Sequence, residues 1–458
     1  MARRGGALAA VVDGVLVCWL CWCAVQPALA GGGGDGGKRC KYNAMFVFGD
    51  SLADTGNICV NKSAAATLLL TFAQPPYGMT YFGHPTCRCS DGRLVVDFLG
   101  THIHVHARRR AAIADSKIIL IANAAQELGL PLLPPSKRSG GDFRRGANMA
   151  IVGATALDFD FLKSIGLGYP IWNNGAMNVQ LQWFHHLLPS ICATQPQGCR
   201  AYLSKSLFMF GSLGGNDYNA MLFFGFTVDQ ARNYTPKIVD TIIAGVEAIN
   251  QSIIQKMLVQ FLKLIAMGAA EIVVPGVMPV GCFPLYLTML RSSNRSDYDE
   301  HGCLRPLNEL SIYHNTLLQG RLAGLQTRYR AAPAPVRIMY ADYYTMVAQL
   351  LHTPARFGKQ LINLGAVWFE LVVDLMGGNG GYGGGVAGFR SGITACCGAG
   401  GGEYNYEFEA RCGMKGAAAC RDPSSHVCWD GVHTTEAANR LIAGGWLGGP
   451  YCHPPILH

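Results

Sequence analysis

The sequence predicts an α/β fold built around a parallel sheet, because short apolar runs repeatedly stop at glycine. Met45–Phe48 is a continuous apolar run that ends in Gly49. Leu207–Phe210 leads into a glycine turn, and the mostly apolar stretch Ala147–Val152 precedes Gly153. Unbroken apolar runs of this length are typical of strands buried on both faces, which occur mainly in parallel sheets. Ligand sites of such sheets lie beyond the carboxyl ends of the strands.

The composition is that of a globular protein with a large core. Of the 458 residues, 50% are hydrophobic and only 14% are charged, which excludes a wholly disordered chain. The 57 glycines are clustered without a G-X-Y period, which excludes collagen. Lys and Arg number 37 against 29 Asp and Glu, and so small an excess gives no support to nucleic-acid binding.

The first thirty residues have the pattern of a secretory signal peptide. Arg3 and Arg4 form a basic start, an apolar stretch runs from about Val15 to Val25, and Ala28-Leu29-Ala30 is a cleavage motif. A membrane anchor is the alternative, but the apolar run is shorter than the ~20 residues that span a bilayer. We therefore expect a secreted, extracellular protein without a stable membrane anchor, with the vacuole as the alternative destination.

Cysteine usage agrees with secretion. Three of the 17 cysteines fall in the predicted signal peptide, and the remaining fourteen predict disulfides whose pairing the sequence does not determine. Five cysteines crowd between Cys396 and Cys428. A zinc cluster is the alternative there, but no CxxC pair lies in that stretch, which disfavours it.

Four N-x-[ST] sequons are candidate N-glycosylation sites in a secreted protein. The sequon at Asn233 is the weakest, because Pro236 follows it closely. The candidate acceptors are Asn61, Asn233, Asn250 and Asn294.

Ser51 is the first candidate for chemistry. It follows Gly49-Asp50, where the first predicted strand ends and the next helix would start. A serine at that point lies in the ligand-binding region of a parallel sheet, and its own backbone N–H is free of the strand ladder. Taken alone, the motif also fits a serine that only caps the helix.

Three further positions carry suitable donors and acceptors. Asp430 precedes His433 by three residues, and a carboxylate can hold an imidazole in the tautomer that accepts a proton from a hydroxyl. We expect this pair to lie in a loop. Asn216 follows the Leu207–Phe210 strand and can donate its amide into the cleft, and Gly153 allows a backbone N–H to approach a ligand closely.

These blocks, in this order, resemble those of plant GDSL esterase/lipases, members of the SGNH hydrolase superfamily. Phe48–Asn57 resembles the family's first block, Gly153 its second-block glycine, Gly214–Asp217 its GxND block and Asp430-x-x-His433 its last block. Pro275–Cys282 is a further hallmark of the family.

Other stretches are similar to the subgroup that includes sinapine esterase and acetylajmalan esterase. They are Pro75–Gly78 with Thr80–Gly83, Arg144–Asn148 and Cys396–Gly398. Cys87 occupies a position where the subgroup usually has glycine, so we expect it to be unpaired.

The resemblance implies a flavodoxin-like three-layer α/β/α hydrolase with a central parallel sheet. Ser51 would be the nucleophile, His433 the general base and then general acid, and Asp430 the residue that orients His433. The oxyanion hole would use the backbone N–H groups of Ser51 and Gly153 with the side-chain amide of Asn216. No metal or organic cofactor is implied, and the substrate would be a small-molecule ester with a short or phenolic acyl group.

The resemblance implies one hydrolase domain over residues 43–458, after the signal peptide at 1–30 and a flexible leader at 31–42. Three stretches interrupt the match to the family and are expected to be insertions, at residues 100–124, 248–262 and 359–388. The sequence does not determine the oligomeric state.

Two insertions carry motifs that imitate other functions. His102, His104 and His106 would share one strand face, as metal ligands do, but the arginines that follow and the lack of acidic or cysteine neighbours favour a solvated loop. Gly378-x-Gly380-x-x-Gly383 fits the dinucleotide fingerprint, but more glycine follows where a helix should begin.

Two alternative functions remain open from the sequence. An acyltransferase on the same fold would resolve the acyl-enzyme with an alcohol instead of water. A wall- or glycan-binding protein would keep the fold but lose catalysis if the insertions displaced the site, since a misplacement of about 1 Å can cost around 100-fold in rate.

Overall fold

The computed structural model describes most of the chain after the predicted leader. The described residues are 42–60, 62–63, 66–67, 69–100, 132–193, 198–246, 268–330, 335–354, 357 and 389–457. Several predicted features lie outside them: the signal peptide, the leader up to residue 41, the three insertions apart from Gly100, the His102/His104/His106 group, the glycine fingerprint at 378–383, and Asn61 and Asn250.

The central sheet has six strands in the described residues, and five of them are parallel. The two sheets of the described residues contain eight strands: β1 (Met45–Phe48), β2 (Gly146–Asn148), β3 (Leu207–Phe210), β4 (Glu271–Pro275), β5 (Arg337–Ala341), β6 (Cys397–Gly398), β7 (Ala418–Ala419) and β8 (Cys452–His453). The sheet order is β2-β1-β3-β4-β5-β8, with β8 antiparallel to β5, while β6 and β7 form a separate two-stranded sheet. The predicted parallel sheet is confirmed, and the antiparallel edge strand β8 is an addition to it.

The apolar runs form these strands because both faces of the sheet are covered. Every residue of β1 and β3 is buried. The ring of Phe46 packs against Phe184 and Phe208, with centroids 5.0 and 5.3 Å apart. Such aromatic pairs stabilise the core beyond the contribution of their buried area. The unbroken apolar pattern therefore indicates a strand at the centre of the core.

Helices form the outer layers of a three-layer α/β fold, as the family resemblance implied. One packed group of helices consists of Met177–Cys192, Thr235–Val246 and Arg305–Arg330. A second consists of Tyr343–His352 and Glu436–Gly448. The other α-helices are Phe159–Ser164, Cys199–Leu203, Gly215–Leu222, Val228–Asn233 and Pro284–Met289. None of the helices in the described residues has the length and apolar character needed to cross a bilayer.

The strand order places three candidate residues at one point of the sheet. β1 lies between β2 and β3, both of which follow it in the chain, so the direction of winding reverses at β1. Ligands bind at such a switch point, beyond the carboxyl ends of the strands. Ser51 follows β1, Gly153 follows β2 and Asn216 follows β3, so three neighbouring strand ends converge here.

Five disulfides lie in the described residues, and one of them corrects an expectation. They are Cys59–Cys87, Cys192–Cys199, Cys282–Cys303, Cys396–Cys420 and Cys397–Cys412. The expectation that Cys87 is unpaired is wrong, because the turn after β1 brings Cys59 within 6.3 Å of it, measured between Cα atoms. That separation suits a disulfide.

Two histidines lie beside disulfides in groups that resemble metal sites. His352 Nε2 is 3.8 Å from Cys282 Sγ and 3.7 Å from Cys303 Sγ, and His426 Nδ1 is 3.5 Å from Cys420 Sγ. The thiolate is the form of cysteine that ligates a metal. Because these sulfurs are joined in disulfides, both groups act as cross-links of the chain.

A buried ion pair provides a test of the fold around the site. Asp97 and Arg88 are 2% and 5% exposed and form two hydrogen bonds of 2.8 and 2.9 Å. We expect Asp97→Asn to lower the free energy of unfolding by about 3–5 kcal/mol, because it leaves a buried guanidinium without its counter-charge. The urea unfolding midpoint, followed by circular dichroism, measures this loss.

The matched control is the exposed pair of Arg144 and Asp142, which has the same two-bond geometry, with bonds of 2.9 and 2.7 Å. Both of its side chains are more than half exposed. We expect Asp142→Asn to leave the midpoint unchanged, because solvent screens an exposed pair. Equal decreases in the urea midpoint for the two variants would contradict the prediction that burial makes the Arg88–Asp97 pair the more stabilising one.

Candidate active site

Ser51, His433 and Asp430 form a continuous hydrogen-bonded chain. His433 Nε2 lies 2.9 Å from Ser51 Oγ, and His433 Nδ1 lies 2.7 Å from Asp430 Oδ2 and 2.9 Å from Oδ1. The side chains of His433 and Asp430 are only 14% and 8% exposed, whereas Ser51 is partly open to solvent. A carboxylate, an imidazole and a hydroxyl in this order can activate the hydroxyl as a nucleophile.

The loop that carries Asp430 and His433 is folded around the carboxylate. Asp430 Oδ1 accepts hydrogen bonds from the backbone N–H groups of Val432 and His433, at 3.1 and 2.9 Å. The hydroxyl of Tyr77 donates to Asp430 Oδ2 at 2.7 Å. With four donor groups on one buried carboxylate, Asp430 has little freedom to rotate away from the imidazole.

The charges of this pair shift both pKa values in the direction that favours the ion pair. Burial alone raises the pKa of Asp430, but the charge of His433 and the hydrogen bonds from His433 and Tyr77 outweigh it and hold that pKa below its usual range. Burial alone lowers the pKa of His433, but the charge and hydrogen bond of Asp430, together with the charge of Asp50, raise it above its usual value.

The turn that carries Ser51 is held by buried polar groups. Asp54 accepts hydrogen bonds from the backbone N–H groups of Gly56, Asn57, Ile58 and Val152, at 2.6–3.2 Å. The amide of Asn57 donates to the carbonyl oxygens of Asn148, the last residue of β2, and of Ala150, which follows β2. These residues therefore fix the turn after β1 against the chain that leads to Gly153.

The chain after β2 stays paired with the chain after β1 as far as Ile151. Met149 N donates to Val47 O at 2.7 Å, and Ile151 N donates to Gly49 O at 3.1 Å. The chain then turns through Val152 and Gly153, and Ala154 N donates to Ile151 O at 3.1 Å. Gly153 has φ +79°, and a Cβ added there would lie 2.7 Å from the carbonyl oxygen of Ile171, so only glycine fits the close approach.

Asn216 is oriented by two neighbours. Its Nδ2 donates to Ala154 O at 2.9 Å, next to Gly153, and its Oδ1 accepts from Asn219 Nδ2 at 3.2 Å. The hydroxyl of Tyr286 in turn donates to Asn219 Oδ1 at 2.6 Å. A side-chain amide carries two N–H donors, so the bond to Ala154 leaves a second donor for a ligand.

Two more buried carboxylates surround the site. Asp217 accepts from the backbone N–H groups of Ala156 and Leu157, at 2.8 and 2.9 Å, and so anchors the loop after Gly153. Burial raises the pKa of Asp217 to about 7 and that of Asp50 to about 7. The carboxyl groups of Asp50 and Asp217 therefore change charge near neutral pH.

Sequence reasoning did not single out three residues that position the site. Tyr77 belongs to the Pro75–Gly78 motif, which signalled a subgroup but not a contact with Asp430. Asn219 lies one helical turn after Asn216, a spacing that could have indicated the contact. Gln180, which bonds both the N–H and the C=O of Gly49, carries no sequence signal.

Two of the four candidate glycosylation sites lie in the described residues. Asn233 ends the helix Val228–Asn233, and Asn294 precedes a short 3-10 helix at Arg295–Asp297. Both asparagines are exposed, although the side chain of Asn294 already bonds Ser296 and Asp297. Glycosylation at either position stays a prediction.

Comparison with known proteins identifies the family. The model of the GDSL-like lipase/acylhydrolase family matches residues 45–446. Two GDSL esterase/lipases of Arabidopsis thaliana are 35% and 36% identical to the chain, over 90% and 91% of its length and 92% and 88% of theirs. The sinapine esterase of Brassica napus is 34% identical over 90% of the chain and 87% of its own length. The chain therefore belongs to the GDSL-like lipase/acylhydrolase family and is a hydrolase acting on ester bonds.

Proposed function

We propose that the protein is a secreted carboxylic-ester hydrolase that works through an acyl-enzyme on Ser51. The observation that carries this proposal is the hydrogen-bonded chain from Ser51 Oγ through His433 to Asp430, with distances of 2.9 and 2.7 Å. The same residues resemble the first and last blocks of the family. The substrate is a small-molecule ester.

Acylation begins when the ester carbonyl enters the switch point of the sheet. His433 Nε2 takes the proton from Ser51 Oγ as that oxygen attacks the carbonyl carbon, and Asp430 stabilises the imidazolium that forms. The N–H groups of Ser51 and Gly153 and the amide of Asn216 donate to the developing oxyanion. Each such donor lowers the barrier by about 2.7–4 kcal/mol.

Collapse of the tetrahedral intermediate releases the alcohol. The imidazolium of His433 gives its proton to the leaving oxygen, which leaves the acyl group on Ser51 as an ester. A water molecule then repeats the cycle, with His433 as base, and releases the acid. An acyltransferase would differ only in this second half, where an alcohol would take the place of water.

Secretion agrees with the covalent structure. Ten cysteines of the described residues are paired in five disulfides, and such bonds form and persist in oxidising compartments. Together with the predicted signal peptide over residues 1–30, this supports an extracellular destination.

The nucleophile is tested by covalent labelling. We expect a fluorophosphonate to add once per protein, and peptide mapping to place the adduct on Ser51, because only an activated hydroxyl reacts readily. Intact mass spectrometry measures the adduct. Ser51→Ala should give none and should lose ester hydrolysis. An adduct on another serine, or an unlabelled folded protein, would overturn the assignment.

The pH profile tests His433 as the base. Imidazole acts as a base only when neutral, and the pKa of His433 is raised above its usual value by Asp430 and Asp50. We therefore expect kcat/KM to fall on acidification with a midpoint above pH 6.5. Initial rates between pH 4 and 9 with a neutral ester measure it. A rate that stays constant down to pH 4 would exclude His433 as the base.

Tyr77 is expected to position Asp430 and to moderate its charge. Tyr77→Phe removes a 2.7 Å hydrogen bond to the carboxylate and leaves the ring in place. The remaining charge then acts more strongly on His433, so we expect the acid limb of the pH profile to move to higher pH. We also expect kcat/KM to fall about 10- to 100-fold, because a hydrogen bond to a charged group contributes about 1.5–3 kcal/mol.

Tyr343→Phe is the matched control. Tyr343 is also buried, but its hydroxyl has no hydrogen-bond partner among the described residues. We expect this variant to keep both the rate and the pH profile of the unmodified protein. A purely structural role of Tyr77 would lower stability and rate without moving the acid limb.

A further inference from the structure

We propose that the hydroxyl of Tyr406 binds the leaving alcohol of the ester, and that this alcohol carries a further hydroxyl group of its own. Tyr406 is only 9% exposed, yet its hydroxyl has no hydrogen-bond partner among the residues that the structure describes. The proposal rests on the hydrolase function proposed above. It names the class of alcohol that leaves, which the catalytic residues themselves do not select.

The ring of Tyr406 packs directly on the loop of Asp430 and His433. Gly431 lies in that loop with φ +100°, and a Cβ added there would collide with the ring of Tyr406. Glycine therefore allows the ring to lie against the backbone between the two catalytic residues. This contact places Tyr406 at the catalytic loop itself.

Tyr406 also lies near the residues on the opposite side of the cleft. Burial raises the pKa of Tyr286, and the charges of Asp50 and Tyr406 raise it further, so both groups are within electrostatic range of its hydroxyl. That hydroxyl donates to Asn219 at 2.6 Å, and Asn219 donates to Asn216 at 3.2 Å. Asp50 immediately precedes the nucleophile. Tyr406 therefore borders the cleft of the nucleophile and does not lie on the far side of the catalytic loop.

The segment that leads to Tyr406 is attached to the same loop through its backbone. Cys396 N donates to Cys428 O at 3.1 Å, and Cys397 N donates to Trp429 O at 2.7 Å. The two acceptors are the residues just before the catalytic carboxylate. Both donors are also held by disulfides. A binding group that is fixed before the substrate arrives loses less entropy on binding.

The residue before Tyr406 holds the chain in one conformation. Asn405 has φ +47°, a left-handed conformation that asparagine adopts more readily than most residues. Its Nδ2 donates to Ala395 O at 2.9 Å, and Ala395 N donates to Tyr404 O at 3.0 Å. These bonds tie the chain before Tyr406 back to the disulfide-linked residues, so the ring is presented to the loop in a defined direction.

The phenol of Tyr406 is a neutral hydrogen-bonding group at working pH. Burial raises its pKa above the usual value, against the opposing charge of Arg411. A phenol can donate one hydrogen bond and can also accept one. A buried hydroxyl without a partner costs free energy. A hydroxylated alcohol would supply the partner, whereas an alkyl alcohol would cover the phenol and leave it unpaired.

The reaction determines which half of the ester reaches Tyr406. In the proposed mechanism His433 Nε2 protonates the leaving oxygen, so the alcohol lies beside the loop of His433. The carbonyl oxygen is held by Gly153 and Asn216 instead. Because Tyr406 packs on Gly431 within the loop of His433, it borders the alcohol.

Two butanoate esters with alcohols of equal size test this assignment. The glycerol ester, 2,3-dihydroxypropyl butanoate, carries hydroxyl groups where 2-methylbutyl butanoate carries methyl groups. We expect the unmodified protein to prefer the glycerol ester. Tyr406→Phe should reduce the ratio of the two kcat/KM values about 5-fold, the scale of one uncharged hydrogen bond. Titration of the released acid measures the rates, and comparing ratios between variants cancels the different reactivities of the esters.

Tyr343→Phe is the matched control. Tyr343 is also a buried tyrosine whose hydroxyl lacks a partner among the described residues, but it is 1% exposed and packs against Trp446 in the core. It should leave the ratio unchanged. An unchanged ratio in Tyr406→Phe, equal losses for both esters, or an equal effect of Tyr343→Phe would overturn the role of Tyr406. Hydrolysis that depends on Ser51 would still support the hydrolase function in that case.

Binding without turnover separates the two proposals. Titration of the glycerol ester into Ser51→Ala protein, followed by NMR, should give an affinity that Tyr406→Phe, added to the same protein, weakens about 5-fold. Such a loss supports the role of Tyr406 even if the unmodified protein hydrolyses neither ester, a result that would sink the hydrolase function alone. An affinity that Tyr406→Phe leaves unchanged overturns the role of Tyr406.

Discussion

The buried carboxylate of Asp54 is the contact on which the rest of the site depends. It binds three backbone N–H groups of the turn after β1 and a fourth, that of Val152, from the chain after β2. One side chain thus joins the strand end that carries Ser51 to the strand end that carries Gly153. Burial disfavours the charged carboxylate and raises the pKa of Asp54 to about 6. The four N–H donors oppose this rise but do not cancel it.

The loop with Asp430 and His433 comes from the far end of the chain and needs its own attachments. Ser90 Oγ donates to Thr434 O at 3.0 Å, Asp91 accepts Glu436 N at 2.8 Å, and Leu285 N donates to Gly431 O at 3.0 Å. The disulfides of Cys396 and Cys397 pack against Trp429 and Tyr77 beside the same loop. The imidazole is therefore aimed by contacts from several separate segments, which keeps it at hydrogen-bonding distance from Ser51.

The sequence predicted the parts of this molecule that depend on local sequence patterns. Buried parallel strands are unbroken apolar runs, so β1 and β3 and the residues after them were identifiable, and family-like blocks named the residues that converge there. The pairing of Cys59 with Cys87, the contact of Tyr77 with Asp430 and the antiparallel strand β8 were not. Each depends on contact between segments that are distant in sequence. Neither residue type nor spacing indicates which distant segments become neighbours in the fold.

The amide of Asn216 illustrates why such a site needs more residues than those that touch the substrate. A side-chain amide can present either its N–H₂ or its C=O to a ligand, and only the first stabilises an oxyanion. The carbonyl of Ala154 settles the choice, because it can only accept and therefore binds Nδ2. Asn219 supports this orientation by donating to Oδ1, and Tyr286 in turn donates to Asn219 Oδ1. The orientation of the Asn216 amide is therefore fixed by one backbone carbonyl and supported by two further side chains. Electrostatic catalysis depends on donors that are aligned before the charge appears. In the proposed mechanism, part of the catalytic power therefore lies in residues one and two contacts away from the oxyanion.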